Sequence, residues 1–595
     1  LDAIDAEVSP KLARFGDAIY QNGALYERVT ALAARVEAGE VALDPPASYW
    51  LECRLRDFVR AGEGLPEAEQ ARLRELNATL AELQSSFGRR ALAGSNAAAV
   101  LVTDETELAG VSQASKAGAR AAAEARGLTG WLLELDSCTP QEVLAEVADR
   151  QLRQRVHEAS VGRGWQGEYD TRDLAVAIAR ARAERATLLG YPSHSEYVAA
   201  DACAKTSEAV HAMLNRLAPP AVRNAKAEAA DLQSLQSEPL QAWDWVYRSE
   251  QLKGRRYHFD AALLRPYLEL ERVLHEGVFA AATALFGITF AERSDLAGYN
   301  DEVRVFEVFD ADGTGIGLFL ADYYTRAGKQ GGAWMNNIVD QNHLIGQRPV
   351  VVNNLNIVKP PAGQPTLLTW GEVTTLFHEF GHALHGLLSD TRYQSQSGTE
   401  TPRDFVEFPS QVNEMWSLDP TLLRRYAVHH ETGEPIPAEW IDDLRAVELF
   451  NQGWLTTELL GASILDQGWH STPIDALPQN ADEVADFEQR VLAAGGIDYS
   501  LVPTRYRSTY FKHIFEGGYS AGYYSYIWSE VLDADTGAWF LANGGLTRAN
   551  GQLYRDKLLA PGGSAEAMQS YRDFRGQDPD ISHLLTRRGL ATTTS

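Results

Sequence analysis

Cysteine is scarce in this chain: three residues in 595, Cys53, Cys138 and Cys203, far apart and odd in number. That excludes a disulfide-framed scaffold and a zinc–thiolate cluster, and leaves ordinary thiols as their expected state. Positive charge is also in deficit, with 54 Lys and Arg against 81 Asp and Glu, a formal net charge of −27 and a sequence pI near 5.0. A partner read through its phosphates needs a basic footprint, so nucleic acid is excluded as a ligand. No apolar run approaches the ~20 residues that a membrane span requires. With 45% hydrophobic and 23% charged residues the composition is that of a soluble globular protein, and its length calls for two or more lobes, each with its own core. No internal repeat is present, and low complexity is confined to Thr592-Thr593-Thr594. The chain begins at Leu1 and not Met, which leaves room for a targeting segment upstream.

Most of the chain reads as helix. The first ~145 residues are rich in Ala, Leu, Glu and Arg. Between Leu65 and Gly88 the residues Leu73, Leu76, Leu80, Leu83 and Phe87 recur at steps of three and four, which predicts a helix with one buried stripe ending at Gly88. A second helix is expected from Thr171 to Gly190, with Leu174, Ile178 and Leu188 on one side. Helix continues to about residue 295, where the period shortens. Val303, Val305 and 306–309 then face 317–321 across the turn Asp310-Ala311-Asp312-Gly313, a hairpin, and a further strand is expected at Pro349–Ile357. From Thr369 onward helices return, broken at Pro402, 435–437, Pro503 and 560–563. This gives a mainly α protein with a small sheet, divided into an N-terminal helical region (1–145) and a second region (146–595) that holds the motifs taken up next.

The chemistry lies around residue 378, in His378-Glu379-Phe380-Gly381-His382. Two histidines four residues apart on a helix can reach one tetrahedral ion, and Glu379 then stands beside the metal, where a base must be to take a proton from water. Chance gives an HExxH in such a chain with an expectation of only about 0.02 to 0.03. Zinc asks for a third protein ligand and an open position. Glu407 answers best, because it sits among apolar neighbours where an unpaired carboxylate is costly. Glu400, in a polar turn, and Asp404, at a helix start where carboxylates cap, are the competitors. Glu414, two turns beyond Glu407 on the same expected helix, is either an orienter of a ligand histidine or a surface residue. His385, one turn past His382, is read as lining the pocket or packed, not as a ligand.

A second constellation runs from His513 to Trp528. If helical after Gly517-Gly518, it places Tyr519, Tyr523 and Tyr526 on one phenol-bearing face. An aromatic stripe is ordinarily core, but a core has no need of a hydroxyl at every position. A histidine and phenols facing a metal suit the oxyanion formed when water attacks an amide carbonyl.

These residues resemble the thimet oligopeptidase and neurolysin family of zinc peptidases, and most closely its bacterial dipeptidyl carboxypeptidase branch. The likeness covers essentially the whole chain and is carried by Gly331-Gly332-Ala333-Trp334-Met335, LFHEFGHALHG, SGTETPRDFVEFPSQ and RYRSTYFKHIFEGGYSAGYYSYIW. The resemblance implies one zinc held by His378, His382 and Glu407, Glu379 as base, and donors at His513, Tyr519 and one or both of Tyr523 and Tyr526. It implies a helical ellipsoid of two lobes with zinc on the floor of a deep channel that admits short unfolded peptides. The strands before residue 360 would hold the substrate backbone by strand addition. The chain is expected to work as a monomer in the bacterial cytoplasm or periplasm, and its N-terminus is shorter than the family's by several tens of residues. Release of C-terminal dipeptides needs a cation for the free carboxylate, for which Arg505 and Arg507 are the candidates. Two alternatives stand beside this reading: an oligopeptide endopeptidase of the same fold, and a peptide-binding protein with a vestigial metal site. The intact Glu379 speaks against the latter.

Overall fold

The computed structural model describes residues 4, 8, 11–12, 15–16, 18–135, 138–257, 261–326, 329 and 332–591. Gly331 and the tail 592–594, both singled out above, lie outside the described residues. The protein is 59% helix and 8% strand. No helix among the described residues is long and apolar enough to cross a membrane.

The first long helix, α1 (Glu67–Ala97), carries the expected stripe, with Leu73, Leu76, Leu80 and Phe87 all buried. It runs through Gly88 instead of stopping there, because Ala91 and Gly94 continue the buried face. One glycine costs a helix only about 1 kcal/mol, which the added burial outweighs. Val100–Val102 (β1) and Trp131–Leu133 (β2) then pair antiparallel, a short ribbon that helical composition conceals. Helix α2 (Arg172–Leu188) matches its expected limits, and α3 (Ser207–Gln233) follows, with Pro219 and Pro220 inside it.

Five strands precede the chemistry: β3 (Thr289–Glu292), β4 (Arg304–Phe309), β5 (Gly315–Tyr324), β6 (Trp334–Val339) and β7 (Val350–Ile357). Their order is β3-β4-β5-β7-β6, with β5 and β7 parallel and the other neighbours antiparallel. The hairpin at Asp310–Gly313 forms as expected. Strands β3 and β6 were not legible, since β6 is Asn-rich and only partly buried.

The chain then enters α4 (Trp370–Leu387), started by a capping box in which Thr369 and Glu372 satisfy each other's backbone N–H groups. A short helix α5 (Phe408–Glu414), the almost wholly buried α6 (Gln452–Ser471) and α7 (Ser525–Ala542) complete the frame. Two large cores organise these elements. One joins the sheet and α4 to residues 405–444 and 532–574; the other joins α1, α2 and α3 to α6 and to residues 511–531. Residue 145 does not separate them, since Leu80, Phe87 and Ala91 share the second core with residues 459–531. The metal helix and the tyrosine-rich segment therefore belong to different cores and meet at the seam, where Trp528 packs against both.

Candidate metal centre

Helix α4 presents His378 and His382 toward Glu407, which ends the short turn Arg403–Val406 and leads directly into α5. The Nε2 atoms of His378 and His382 lie 3.3 and 3.2 Å from the same Glu407 oxygen, Oε2. Among the described residues this is the one His, Cys, Asp or Glu cluster whose ligand atoms lie close enough, within 4.8 Å of one another, to hold an ion. Two imidazole nitrogens and one carboxylate oxygen are the donor set of a hydrolytic zinc site. All three ligand atoms converge on one point with Glu407 partly buried between the imidazoles, so the residues present fit a divalent metal.

Close approach of α5 to α4 makes this possible, and Gly381 permits it. A Cβ there would meet Ser410 Cα at 2.6 Å and the Pro409 carbonyl oxygen at 2.8 Å. Asn413 fastens the two helices by donating to the Phe377 carbonyl at 2.6 Å. Glu414 Oε1 lies 2.6 Å from His378 Nδ1, which holds that ring with Nε2 facing Glu407. Among the described residues His382 has no such support, and its buried Nδ1 lacks a hydrogen-bond partner.

Electrostatics follow from this crowding. Burial opposes charge on Glu407, yet the two imidazoles hold its carboxyl far below the ordinary range. Burial likewise opposes charge on His378, but Glu407 and Glu414 outweigh it and push its pKa up to about 10. Glu379 is 5% exposed, its Oε2 has no partner, and burial raises its pKa against the pull of the neighbouring imidazoles.

The second constellation assembles without the helix expected for it. Residues 519–524 form successive turns and α7 begins only at Ser525, since the Gly-rich run and the left-handed Ala521 (φ +55°) interrupt helical geometry. The rings converge all the same. His513 lies 6.0 Å from Tyr519 and 5.4 Å from Tyr523, centroid to centroid, while Tyr519 and Tyr526 stack at 5.3 Å. Burial, and then the Arg505 charge, keep the His513 imidazole below its ordinary pKa. Gln411 of α5 reaches the Tyr526 carbonyl at 3.5 Å, and Glu407 acts electrostatically on the Tyr526 hydroxyl, so this face adjoins the metal cluster.

Several expectations are corrected. His385 is fully enclosed, both ring nitrogens lack partners, and burial lowers its pKa to about 3; it is packed and does not line a pocket. Asp404 does not cap its own helix. It reaches across to the backbone N–H groups of Cys203 and Ala204 at 2.8 and 3.0 Å and accepts the Tyr524 hydroxyl. Arg507 is bound to Glu488, lies 3.9 Å over Trp165, and borders a different cavity from the tyrosines. Arg505 does line the cavity of about 470 Å³ shared by Gln411, His513, Tyr523 and Tyr526, with Nε and Nη2 both donating to Glu458 Oε1. Sequence reasoning missed Arg403, whose guanidinium sits 4.3 Å over the Tyr519 ring.

Comparison with known proteins adds to this geometry. Residues 143–590 match the model of peptidase family M3. The chain belongs to that family. It is 44% identical to the dipeptidyl carboxypeptidase of Salmonella typhimurium, over 99% of this chain and 87% of that one, and 42% identical to its Escherichia coli namesake over the same shares. It is 34% identical to oligopeptidase A of Salmonella typhimurium over 90% of this chain and 80% of the relative. Among solved structures, a putative oligoendopeptidase F superposes with a TM-score of 0.54 at 14% identity, over 99% of this chain and 86% of that one, which shows a shared fold. This M3 chain is thus a metallopeptidase acting on peptides, and a purely peptide-binding role is set aside.

Replacing Gly381 tests the packing on which the centre rests. Gly381→Ala forces α5 away from α4 and should cost about 1–3 kcal/mol. Differential scanning calorimetry of the metal-free protein reads this as a lower unfolding temperature.

Proposed function

We propose that the protein is a zinc dipeptidyl carboxypeptidase in which His378, His382 and Glu407 hold the metal. The convergence of three ligand atoms within 4.8 Å, beside Glu379, whose buried Oε2 has no partner among the described residues, carries this reading. A zinc ion held there would supply Lewis acidity toward the scissile carbonyl and the attacking water. Glu379 takes the proton of the attacking water, its basicity raised by burial, and then delivers it to the leaving amine. His513, kept neutral, and the hydroxyl of Tyr519 donate hydrogen bonds to the oxyanion, with Tyr523 and Tyr526 shaping the wall around it. Identity to two dipeptidyl carboxypeptidases over nearly the whole chain supports release of C-terminal dipeptides. Arg505 is then the cation for the substrate carboxylate, since it borders the same cavity as His513 and Tyr523.

One observation favours an endopeptidase as the second reading: Arg505 is already neutralised by Glu458, so a substrate carboxylate meets a compensated cation.

Two experiments test these assignments. Glu379→Gln should keep its zinc and its fold while turnover falls by ~10² or more, because an amide cannot accept the water proton; metal analysis and steady-state kinetics check this. Arg505→Met alone would leave Glu458, 2% exposed, unpaired in the interior, so the clean variant is Arg505→Met with Glu458→Gln. It should cut kcat/KM on peptides with a free C-terminus by ~10-fold, the worth of one charge-assisted contact, and leave amidated peptides little changed in the same assay.

A further inference from the structure

Beneath the tyrosine segment, away from the metal centre, lies a second buried charge network. Arg182 of α2 and Asp466 and His470 of α6 are 1%, 0% and 2% exposed. Asp466 Oδ1 accepts from His470 Nδ1 and from the backbone N–H of Ala521, both at 2.8 Å. Its Oδ2 accepts the backbone N–H of Tyr523 at 2.9 Å. Arg182 Nη1 donates to His470 Nε2 at 2.9 Å and to the Ile514 carbonyl at 2.5 Å, next to His513. Donation from Arg182 fixes His470 as the neutral tautomer with its proton on Nδ1, in line with the burial that lowers its pKa. Gln467 completes the grip by donating to the Ala521 carbonyl at 2.9 Å.

This grip falls on the most permissive stretch of backbone in the site. Gly517, Gly518 and Gly522 surround Tyr519, and Ala521 occupies the left-handed region that alanine avoids. Held at both its N–H and its C=O by α6, Ala521 cannot relax to a commoner conformation without breaking two buried hydrogen bonds. Core packing alone has no need of an aspartate carboxylate aimed at two loop amides from a buried helix.

We propose that Arg182, His470 and Asp466 form a positioning relay that fixes the His513–Tyr523 backbone, and through it places the donors for the oxyanion. Asp466 touches no reacting atom; it acts through Ala521 and Tyr523. The inference rests on the role given above to Tyr519, and its test separates the two.

The zinc-loaded enzyme is compared with Asp466→Asn, Gln467→Met, Tyr519→Phe and the double variant Asp466→Asn/Tyr519→Phe. Asp466→Asn should lower kcat by ~10- to 100-fold with KM within ~3-fold and zinc content unchanged, as expected for donors displaced by a fraction of an ångström. Asp466→Glu, which keeps the charge, should recover part of that loss. Gln467→Met, which removes the donor to the Ala521 carbonyl at nearly constant volume, should lower kcat by ~3-fold or more with KM and zinc content unchanged by loosening the turn. The double variant should be no more than ~3-fold slower than the slower single, because a misplaced phenol has little left to lose. Where Asp466→Asn fails to fold, Gln467→Met carries the test alone. Wild-type kcat in Gln467→Met, or losses that multiply in the double variant, overturn the relay while an impaired Tyr519→Phe leaves the catalytic reading standing. Wild-type kcat in Tyr519→Phe overturns both.

Discussion

Everything in the site depends on how closely α5 can approach α4. At Gly381 the two backbones are near enough that a single methyl group would strike Ser410 and Pro409. That proximity puts Glu407 Oε2 within 3.3 Å of both imidazoles, a placement that costs the desolvation of a carboxylate and is offset by the partners it meets. The same approach lets Asn413 bond to the Phe377 carbonyl and Glu414 orient His378. A helical HExxH supplies two donors on its own; the third comes from tertiary packing.

The seam between the two cores supplies the rest. Metal ligands ride on the core built around the sheet and α4, whereas His513 and the tyrosines ride on the core of α1, α2, α3 and α6. A peptide lying between them would touch both. Cavities of about 770 and 470 Å³ border this seam and share Gln411, Gln452, Glu530 and Arg588 along their walls, enough room for an extended peptide of a few residues.

Much of this was legible in sequence because its signals are local. His378, Glu379 and His382 follow from helical spacing, and Glu407 from the cost of a carboxylate among apolar residues. The hairpin at Asp310–Gly313 follows from turn chemistry. What sequence concealed depends on contacts between distant segments. Asp404 looked like a cap, but two N–H groups some 200 positions away claim it. Arg507 matched the resemblance, yet Glu488 and Trp165 fix it elsewhere. Tyr519, Tyr523 and Tyr526 converge through turns that no periodicity encodes. Asp466 and His470 left a trace that was readable: an Asp–His pair four apart on α6, a helix buried nearly all round, where polar groups survive only if partnered.

Product identity tests the account most directly. A peptide of defined sequence is offered as free acid and as C-terminal amide, and a time course is read by mass spectrometry with and without a chelator. The account predicts successive loss of dipeptides from the acid, cleavage of the amide slower by at least ~10-fold, and no products from either once the metal is removed. Equal rates on acid and amide, or internal cuts that release longer C-terminal fragments, would contradict it.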